Sequence, residues 1–592
     1  MCMLAGGRPV DGSGWNRRDI LKATAAAGVG SVVFARALSA LAAEAGPGAV
    51  TPTMVAQAEW VAGISLSDAQ RELMLKDLAQ LRKDVEALRA IPLDNGVAPA
   101  LVFRPDALSP SHAPVAPQRA PERLDRGPAS RPAGAADLAF LPVTRLAALL
   151  AAGEVSSVEL TRLYLERIER HDAQLLAFVT PTPELALEQA RRADAERAAG
   201  RTRGPLHGVP FVAKDLLSYP GLRTTWGAGP FKDQVRAEKA TAIARLEEAG
   251  GVLLGKTAVG ELAWGDVWYG GTTKNPWKPT QGSSGSSAGT ASSVAAGLSP
   301  YGLGTETWGS IVSPCTRCGA TGLRPTFGRV SRHGAMALSW SMDKVGTIAR
   351  SVEDCALAFA AIQGADGLDP TAVDRPFGWP PRRDPRSIKV GVVRELFDAD
   401  YTKWADSDDE KPGYAEWQAL DGAALTALEQ LDLDLVTVKP PETPPVGPMA
   451  MILTAEAASA FDEFTLSGGA DKLVRQVRDA WPNSFRQGRF IPAVDYLRAL
   501  RVRTLAMAAM ERLMREVEVL VVPSFGGDML LLTNLTGHPA VVLPDGFRKS
   551  DGTPTSLSFI GRLYGETDLL AVAHAFQQAT GFHLERPPGF AP

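Results

Sequence analysis

The sequence has few of the residues that build disulfide-stapled or metal-dependent proteins. Its 592 residues include four Cys and seven His, and Cys315 and Cys318 stand close enough together to suggest a ligand pair. A structural zinc site needs a second pair, and four cysteines cannot cross-link a chain of this length into a framework. We therefore expect no metal site and no disulfide scaffold.

An excess of charge of one sign is also missing. There are 62 Lys and Arg against 66 Asp and Glu, which gives a formal net charge of −4. A protein that binds nucleic acid or an anionic membrane surface usually carries a basic surplus. With 45% hydrophobic and 22% charged residues, the composition is that of an ordinary globular protein, and we expect no nucleic-acid partner.

No apolar run reaches the roughly 20 residues that a membrane-spanning helix needs. The N-terminal run from Ala23 to Ala35 follows the pair Arg17 and Arg18 and precedes small residues up to Ala45. This order is typical of an export signal, and the paired arginines indicate the twin-arginine route. Residues 1–45 are thus predicted to be a twin-arginine-type signal peptide, and the mature protein to be periplasmic or secreted without stable membrane insertion. The alternative is an ordinary amphipathic helix.

The following segments differ in composition. Residues 46–104 are predicted to be helical, because Ser67 and Gln70 have capping-box spacing before an apolar stripe that ends near Ala90. Residues 105–137 contain seven prolines among Ala, Arg and Ser, which is typical of an extended linker. Residues 138–592 are predicted to form the principal domain.

The principal domain alternates predicted helices with short apolar strands. A helix from Val158 to His171, capped by Ser156, precedes apolar runs at Val209–Val212, Val252–Leu254 and Ile388–Val393. Such alternation predicts an α/β fold whose strands are buried on both faces.

Two motifs suggest chemistries that their surroundings do not favour. Gly250–Thr257 fits the phosphate-binding P-loop, but its apolar centre predicts a buried strand instead. Gly285–Gly289 fits the nucleophile elbow, with Ser287 as the nucleophile, yet that motif requires a preceding strand. The segment before it contains two prolines and no apolar run, so we predict no strand there. The elbow remains a minor alternative, with His538 or His574 as its base.

A third segment brings two serines toward a lysine. The predicted helix Ala288–Leu298 descends roughly 15 Å, and the strand Tyr301–Gly304 climbs roughly 17 Å back. Ser286 and Ser310 are therefore expected at the same end of the sheet, where the strand before Lys214 also ends. A buried lysine can lose its proton and activate a serine, so this grouping suggests a lysine-dependent hydrolase. A single lysine of this kind is otherwise a snorkelling surface residue.

These blocks resemble the amidase signature family. The likeness lies in Gly208–Asp215, Ser286–Gly289 and Gly304–Pro314, and further blocks extend it over most of residues 140 to 585. The resemblance implies one α/β/α domain around a large mixed β-sheet and an activity of amide bond hydrolysis without a cofactor.

The resemblance also implies the site residues. Lys214 is the base, Ser286 the bridging serine after a cis peptide, and Ser310 the nucleophile. Backbone amides of Ser310 and of the preceding residues, Thr307, Trp308 and Gly309, would meet the oxyanion.

The sequence departs from the family pattern beside the nucleophile. Trp308 stands where the family usually has glycine, which makes bulky acyl groups doubtful. Many relatives have arginine at Val312, and Ala288 replaces a glycine of the serine loop. Cys315 is expected to be a small core residue, with a disulfide to Cys318 left open.

We interpret the chain as an amidase that uses a Ser-Ser-Lys triad and an acyl-enzyme to hydrolyse a small amide. The alternatives are the glutaminase-type subunit of a tRNA-dependent amidotransferase, a serine esterase, or a binding protein that keeps the fold without catalysis. Pocket residues are expected partly between Met449 and Tyr496. The oligomeric state stays open, with a homodimer among the options.

Overall fold

The computed structural model describes residues 50–93, 101, 130–405 and 407–590, and every structural statement below refers to these residues. The predicted signal peptide and residues 105–129 of the predicted linker lie outside them. The last residues of that linker already belong to a helix, which begins at Ala135.

Two helices precede the linker, α1 (Pro52–Ala62) and α2 (Asp68–Ala90). The predicted capping box opens α2, because Ser67 and Gln70 each accept a hydrogen bond from the other's backbone N–H. Leu88 of α2 is buried in an apolar cluster of the principal domain. The N-terminal helices therefore pack on the main body.

The strands lie in one large sheet and two small ones. Their bounds are β1 (Phe178–Pro181), β2 (Pro210–Lys214), β3 (Val252–Thr257), β4 (Val267–Trp268), β5 (Gly271–Thr272), β6 (Lys274–Asn275), β7 (Lys278–Gly282), β8 (Tyr301–Glu306), β9 (Thr321–Arg324), β10 (Lys344–Ala349), β11 (Lys389–Val392), β12 (Asp434–Thr437), β13 (Val519–Pro523), β14 (Ala540–Phe547) and β15 (Pro554–Gly561). The large sheet has 11 strands in the order β1-β3-β2-β8-β10-β9-β14-β15-β13-β11-β12.

The helices of the principal domain cover both faces of this sheet. Their bounds are α3 (Ala135–Ala139), α4 (Val143–Ala152), α5 (Ser157–Leu175), α6 (Pro183–Ala198), α7 (Thr241–Glu248), α8 (Ala288–Ala295), α9 (Val312–Cys318), α10 (Val352–Ile362), α11 (Arg394–Phe397), α12 (Lys411–Glu429), α13 (Met451–Ala460), α14 (Asp462–Leu466), α15 (Trp481–Gly488), α16 (Ala493–Glu516), α17 (Met529–Thr536) and α18 (Glu566–Thr580). The predicted α/β class with a large mixed sheet between helical layers is confirmed.

Strand β13 illustrates how the sheet is buried on both faces. Val519 and Val521 pack into one apolar cluster, whereas Leu520 and Val522 pack into another. Successive side chains of a strand point to opposite faces, so both faces here are covered. A continuous apolar run in the sequence was the signal for this arrangement.

The direction of the strands decides where the candidate residues lie. Strand β2 pairs in parallel with both β3 and β8, so the three carboxyl ends share one edge of the sheet. Lys214 is the last residue of β2, and β8 ends at Glu306, shortly before Ser310. The predicted convergence at one end of the sheet is therefore present.

The structure shows which elements form the P-loop-like segment and which precede the elbow-like segment. The P-loop-like segment forms β3 inside the large sheet, as expected from its apolar residues. The prediction of no strand before Ser286 was wrong, because β6 and β7 pair antiparallel there. This ribbon is partly exposed and lies outside the large sheet, so no apolar run marks it in the sequence.

Across the described ranges, we find no helix that combines the length and the apolar character needed to cross a bilayer.

Candidate active site

Lys214 lies at the centre of a buried cluster of hydroxyl groups. Its side chain is fully buried, and its Nζ is 2.9 Å from Ser286 Oγ, 3.1 Å from Ser287 Oγ and 2.8 Å from Thr305 Oγ1. The carbonyl oxygen of Thr305 is a further acceptor at 3.3 Å. The predicted pairing of Lys214 with Ser286 is thus a direct hydrogen bond.

The serine loop reaches the nucleophile loop through the backbone. The peptide bond between Gly285 and Ser286 is cis, as the resemblance implied. Immediately after it, the N–H of Ser287 donates to the carbonyl oxygen of Ser310 at 3.1 Å. Ser287 Oγ in turn donates to the carbonyl oxygen of Thr305 at 3.1 Å, which ties the serine loop to β8.

Ser310 lies at the surface end of this cluster. It is 9% exposed, against 1% for Ser286, so Ser310 is the more accessible of the two serines. Within the described part of the chain, Ser310 Oγ forms no hydrogen bond, which leaves the hydroxyl available. Catalytic hydrogen bonds are often completed only when substrate binds.

Gly309 has the backbone conformation that glycine favours. Its φ is +84°, and a Cβ at this position would lie 3.0 Å from Ser313 Oγ. The glycine lets the chain turn sharply between Trp308 and Ser310. Trp308 itself is 45% exposed at the rim of the site.

A buried carboxylate anchors the segment that follows Ser310. Glu306 Oε2 accepts hydrogen bonds from Ile311 N at 2.7 Å and Val312 N at 2.9 Å. Its other oxygen accepts from Arg324 Nη1 at 2.7 Å and Asn534 Nδ2 at 2.9 Å. Four donors therefore hold Glu306, and through it the turn that carries the nucleophile.

The charge of Glu306 is stabilised by these donors. Burial alone would raise its pKa, but Arg324, the amide of Val312 and Asn534 lower the pKa to about 2. Arg324 of β9 supplies the cation for this carboxylate, with its Nη1 2.7 Å from Glu306 Oε1.

Thr307 has a separate anchor. Its hydroxyl donates to Asp343 Oδ1 at 2.6 Å, and Asp343 Oδ2 accepts from the backbone of Leu338 and Ser339 at 2.8 and 2.9 Å. Burial raises the pKa of Asp343, against the opposing effect of these hydrogen bonds. The predicted oxyanion stretch is thus fixed on both sides of Trp308.

Burial also sets the state of Lys214. It lowers the pKa of Lys214 well below the ordinary lysine value, although the negative charges of Asp343 and Glu306 oppose the shift. The neutral amine that a lysine base requires is therefore favoured. The neighbouring Lys256 forms a buried ion pair, in which its Nζ lies 2.9 Å from Asp215 Oδ1.

The structure also bears on two hypotheses from the sequence, which are a disulfide between Cys315 and Cys318 and a nucleophilic Ser287. Cys315 and Cys318 are both free buried thiols, and burial raises the pKa of each. Ser287, the nucleophile of the elbow hypothesis, is fully buried, and no histidine of the described segments hydrogen-bonds to it. His538 instead pairs with Thr536 Oγ1 at 2.8 Å.

Sequence reasoning missed Thr305 and Glu306, and it considered Ser287 only as the nucleophile of the elbow. Thr305 and Ser287 contact Lys214 directly, and Glu306 anchors the nucleophile turn. An acidic residue at the end of an otherwise apolar strand was the available signal for Glu306, because a buried carboxylate requires partners.

The sequence of this chain matches a protein family and several known proteins. The Amidase family model matches residues 159–532. A glutamyl-tRNA(Gln) amidotransferase subunit from Moorella thermoacetica is 36% identical over 496 residues, which cover 76% of this chain and 99% of that protein.

Solved structures are also similar to this protein. The peptide amidase of Stenotrophomonas maltophilia is 28% identical with a TM-score of 0.64, over 76% of this chain and 99% of that one. A bacterial aryl acylamidase of the amidase signature family shares the fold at 23% identity and a TM-score of 0.65, over 75% and 97% of the two chains.

Fold and likeness together define the class of the protein, which is that of amidase-type hydrolases of carbon–nitrogen bonds. Within that class, the chain belongs to the amidase signature family.

Proposed function

We propose that the protein is an amidase that hydrolyses small linear amides through an acyl-enzyme on Ser310. Lys214 is the base, and Ser286 relays the proton. The observation that carries the proposal is the fully buried Lys214 Nζ, 2.9 Å from Ser286 Oγ, beside a serine loop that is hydrogen-bonded to the backbone of Ser310.

The first step forms the acyl-enzyme. Ser310 Oγ attacks the carbonyl carbon, its proton passes to Ser286 Oγ, and the proton of Ser286 passes to neutral Lys214. A neutral amine can accept from Ser286 while it donates to the carbonyl oxygen of Thr305, which lies 3.3 Å away. Burial that lowers the pKa of Lys214 supports this role.

The developing oxyanion accepts hydrogen bonds from backbone amides of Thr307, Trp308, Gly309 and Ser310. When the tetrahedral intermediate collapses, the C–N bond breaks and the leaving nitrogen takes the proton back from Lys214 through Ser286. Water then attacks the acyl carbon by the same relay and releases the carboxylic acid and free Ser310.

The test is mass-spectrometric mapping of a fluorophosphonate adduct on the purified protein, because this reagent reports an activated serine before any substrate is known. We expect the adduct on Ser310, and its loss in Ser310→Ala and Lys214→Met. Ser287→Ala is the matched control, since Ser287 also contacts Lys214 but should keep the adduct on Ser310. An adduct on Ser287 would overturn the proposal in favour of the elbow.

A second candidate is supported by the amidotransferase relatives, which this chain matches over nearly their full length. In that case the protein would release ammonia from glutamine and pass it to glutamyl-tRNA(Gln). Comparing ammonia release from glutamine with release from small linear amides separates the two candidates. A strong preference for glutamine would favour the amidotransferase role.

The proposed location is the periplasm or the exterior, by the twin-arginine route. Paired Arg17 and Arg18 before an apolar run support this. Cell fractionation after replacement of both arginines by lysine provides the test, and export that persists unchanged would contradict the twin-arginine route.

A further inference from the structure

Glu456 of α13 is a buried carboxylate that the proposed reaction does not use. Its Oε2 accepts from Ser339 Oγ at 2.5 Å and Ser341 N at 3.1 Å. Its Oε1 accepts from Ser341 Oγ at 2.7 Å and Tyr496 Oη at 2.9 Å. A buried charge is costly unless it is hydrogen-bonded, and these four donors stabilise it. Three of the four belong to the loop of residues 338–343, so Glu456 ties this loop to α13.

Arg503 of α16 holds the same loop from another side. Its Nη1 donates to Ser341 Oγ at 2.8 Å, and its Nη2 donates to the carbonyl oxygen of Ser341 at 2.7 Å. Burial lowers the pKa of Arg503, and the negative charge of Glu456 opposes the shift. A buried anion and a buried cation from two different helices therefore fix Ser341.

The loop passes this restraint on to Asp343. The backbone N–H of Ser339 donates to Asp343 Oδ2 at 2.9 Å, and that of Leu338 donates to the same oxygen at 2.8 Å. Asp343 Oδ1 accepts from the hydroxyl of Thr307 at 2.6 Å. Hydrogen bonds through Ser339 and Asp343 thus join Glu456 to Thr307, which is 149 residues earlier in the chain.

Thr307 lies where a small displacement would affect the reaction. It is the first residue of the stretch whose backbone amides are assigned to the oxyanion. Thr307 and Asp343 line a cavity of about 170 Å³ together with Thr305, whose hydroxyl contacts Lys214. Backbone amides stabilise an oxyanion effectively only when the protein holds them in place beforehand. The restraint on Thr307 is therefore relevant to catalysis as well as to folding.

We infer that Glu456 is a positioning residue for amide hydrolysis, because it holds the loop of residues 338–343 so that Asp343 keeps Thr307 in place for the oxyanion. Glu456 acts through Ser339 and Asp343. This role rests on the proposed amidase function, which gives the Thr307 amide its part in the reaction. An oxyanion contact forms only in the transition state, so loss of Glu456 should slow the chemical step rather than weaken binding.

The rate at which a fluorophosphonate labels Ser310 tests this role without a known substrate. Glutamine has one oxygen where glutamate has two, so Glu456→Gln leaves part of the four donors without an acceptor. We expect the maximal rate constant of labelling to fall by about 10- to 100-fold. The half-saturating reagent concentration should stay within about twofold. A merely structural role would lower the fraction of protein that becomes labelled and leave the rate constant of that fraction unchanged.

Two further variants follow the path from Glu456 to Thr307. Ser339→Ala removes only the hydroxyl between Glu456 and the loop, leaves three donors on the carboxylate, and should slow labelling several-fold. Thr307→Val removes the hydroxyl that Asp343 binds and keeps the backbone amide. If Glu456 acts through Thr307, the two effects are not independent. The double variant Glu456→Gln with Thr307→Val should then be little slower than the slower single variant.

Glu59→Gln is the matched control. Glu59 is also buried and accepts a backbone hydrogen bond, from Leu66 N at 3.3 Å, but it lies in α1 and pairs with Arg71 of α2. It should keep the parental rate constant. The inference is overturned by a parental rate constant in Glu456→Gln or Ser339→Ala, by an equal loss in Glu59→Gln, or by a double variant whose loss is the product of the single losses.

This inference and the amidase proposal fail in different ways. If Ser310 is labelled and the rate constant does not depend on Glu456, the positioning role is wrong and the amidase proposal stands. If Ser310 of the parent protein takes up no label, the catalytic proposal is wrong, and the positioning role of Glu456 is wrong with it.

Discussion

Replacing Arg324 by Met tests the support beneath the nucleophile. Arg324 Nη1 lies 2.7 Å from Glu306 Oε1, and the two side chains are 1% and 0% exposed. Methionine has similar length and keeps the apolar contacts, but it leaves Glu306 without its cation. Loss of one partner from a buried ion pair costs about 3–5 kcal/mol of unfolding free energy, because neither water nor a counterion stabilises the remaining charge.

Replacing Arg324 by Met should also slow catalysis. Glu306 Oε2 accepts from Ile311 N and Val312 N, directly after Ser310. If the carboxylate shifts or takes up a proton, this turn loses an anchor and Ser310 moves relative to Ser286. Displacements of about 1 Å at a reacting atom can cost about 100-fold, so we expect kcat to fall by one to two orders of magnitude.

Urea unfolding followed by tryptophan fluorescence, together with amide hydrolysis, measures both effects. Arg386→Met is the control, because Arg386 pairs with Asp384 at the surface and its loss should leave the unfolding midpoint unchanged. Glu306→Gln added to Arg324→Met removes the unpaired charge and should recover part of the stability. The reasoning is refuted if Arg324→Met unfolds within about 1 kcal/mol of the parent, or if the double variant is no more stable than the single one.

The pair also predicts a dependence on pH. The pKa of Glu306 is about 2 in the folded protein, below its ordinary value of 4.5. A carboxyl whose pKa is lowered by folding stabilises the folded state above its unfolded pKa, and this contribution is lost as pH falls from about 4.5 toward 2. In Arg324→Met the pKa of Glu306 in the folded protein should be less depressed, so the stability lost over this pH range should be smaller.

Three further predictions concern other parts of the molecule. Lys214→Met should lower kcat by about 10²–10⁴-fold, and in the parent kcat/KM should rise with pH until Lys214 is neutral. Trp308→Gly should raise kcat/KM for a butyryl amide relative to the acetyl amide, since it removes a large ring two residues before Ser310. Burial and the neighbouring Asp545 raise the pKa of Asp421, so the parent should lose stability as pH rises above about 4, and Asp421→Asn should lose less.

Each of these predictions has a contrary result. A Lys214→Met protein with parental kcat would exclude lysine as the base. An unchanged butyryl-to-acetyl ratio in Trp308→Gly would remove this residue from the acyl site. Equal slopes of unfolding free energy against pH in the parent and in Asp421→Asn would show that the Asp421 and Asp545 pair carries no net cost.

The elements that position the site were predictable because each has a local signal. Strand β3 follows from its apolar run, and the approach of Ser286 to Ser310 follows from the lengths of one helix and one strand. The ribbon of β6 and β7 has no such signal, since pairing between two partly exposed strands depends on backbone hydrogen bonds rather than on apolar residues.

The partners of the site were harder to predict because they are distant in sequence. Glu306 binds Arg324, 18 residues away, and Asn534, 228 residues away. The expectation of pocket residues between Met449 and Tyr496 stays a prediction.

Different stretches of the chain supply the catalytic residues and the walls of a neighbouring cavity. Lys214, Ser286 and Ser310 come from one stretch of chain around β2 and β8, whereas a cavity of about 970 Å³ lined by Ser284 and Ser313 has aromatic walls from residues 404–417 and from Phe525. Mutation can therefore alter the shape and charge of the cavity while the lysine and the serines keep their hydrogen bonds. Enzymes that descend from one ancestor can in this way differ in substrate specificity, because each inherits the same cleavage reaction but accepts a different amide.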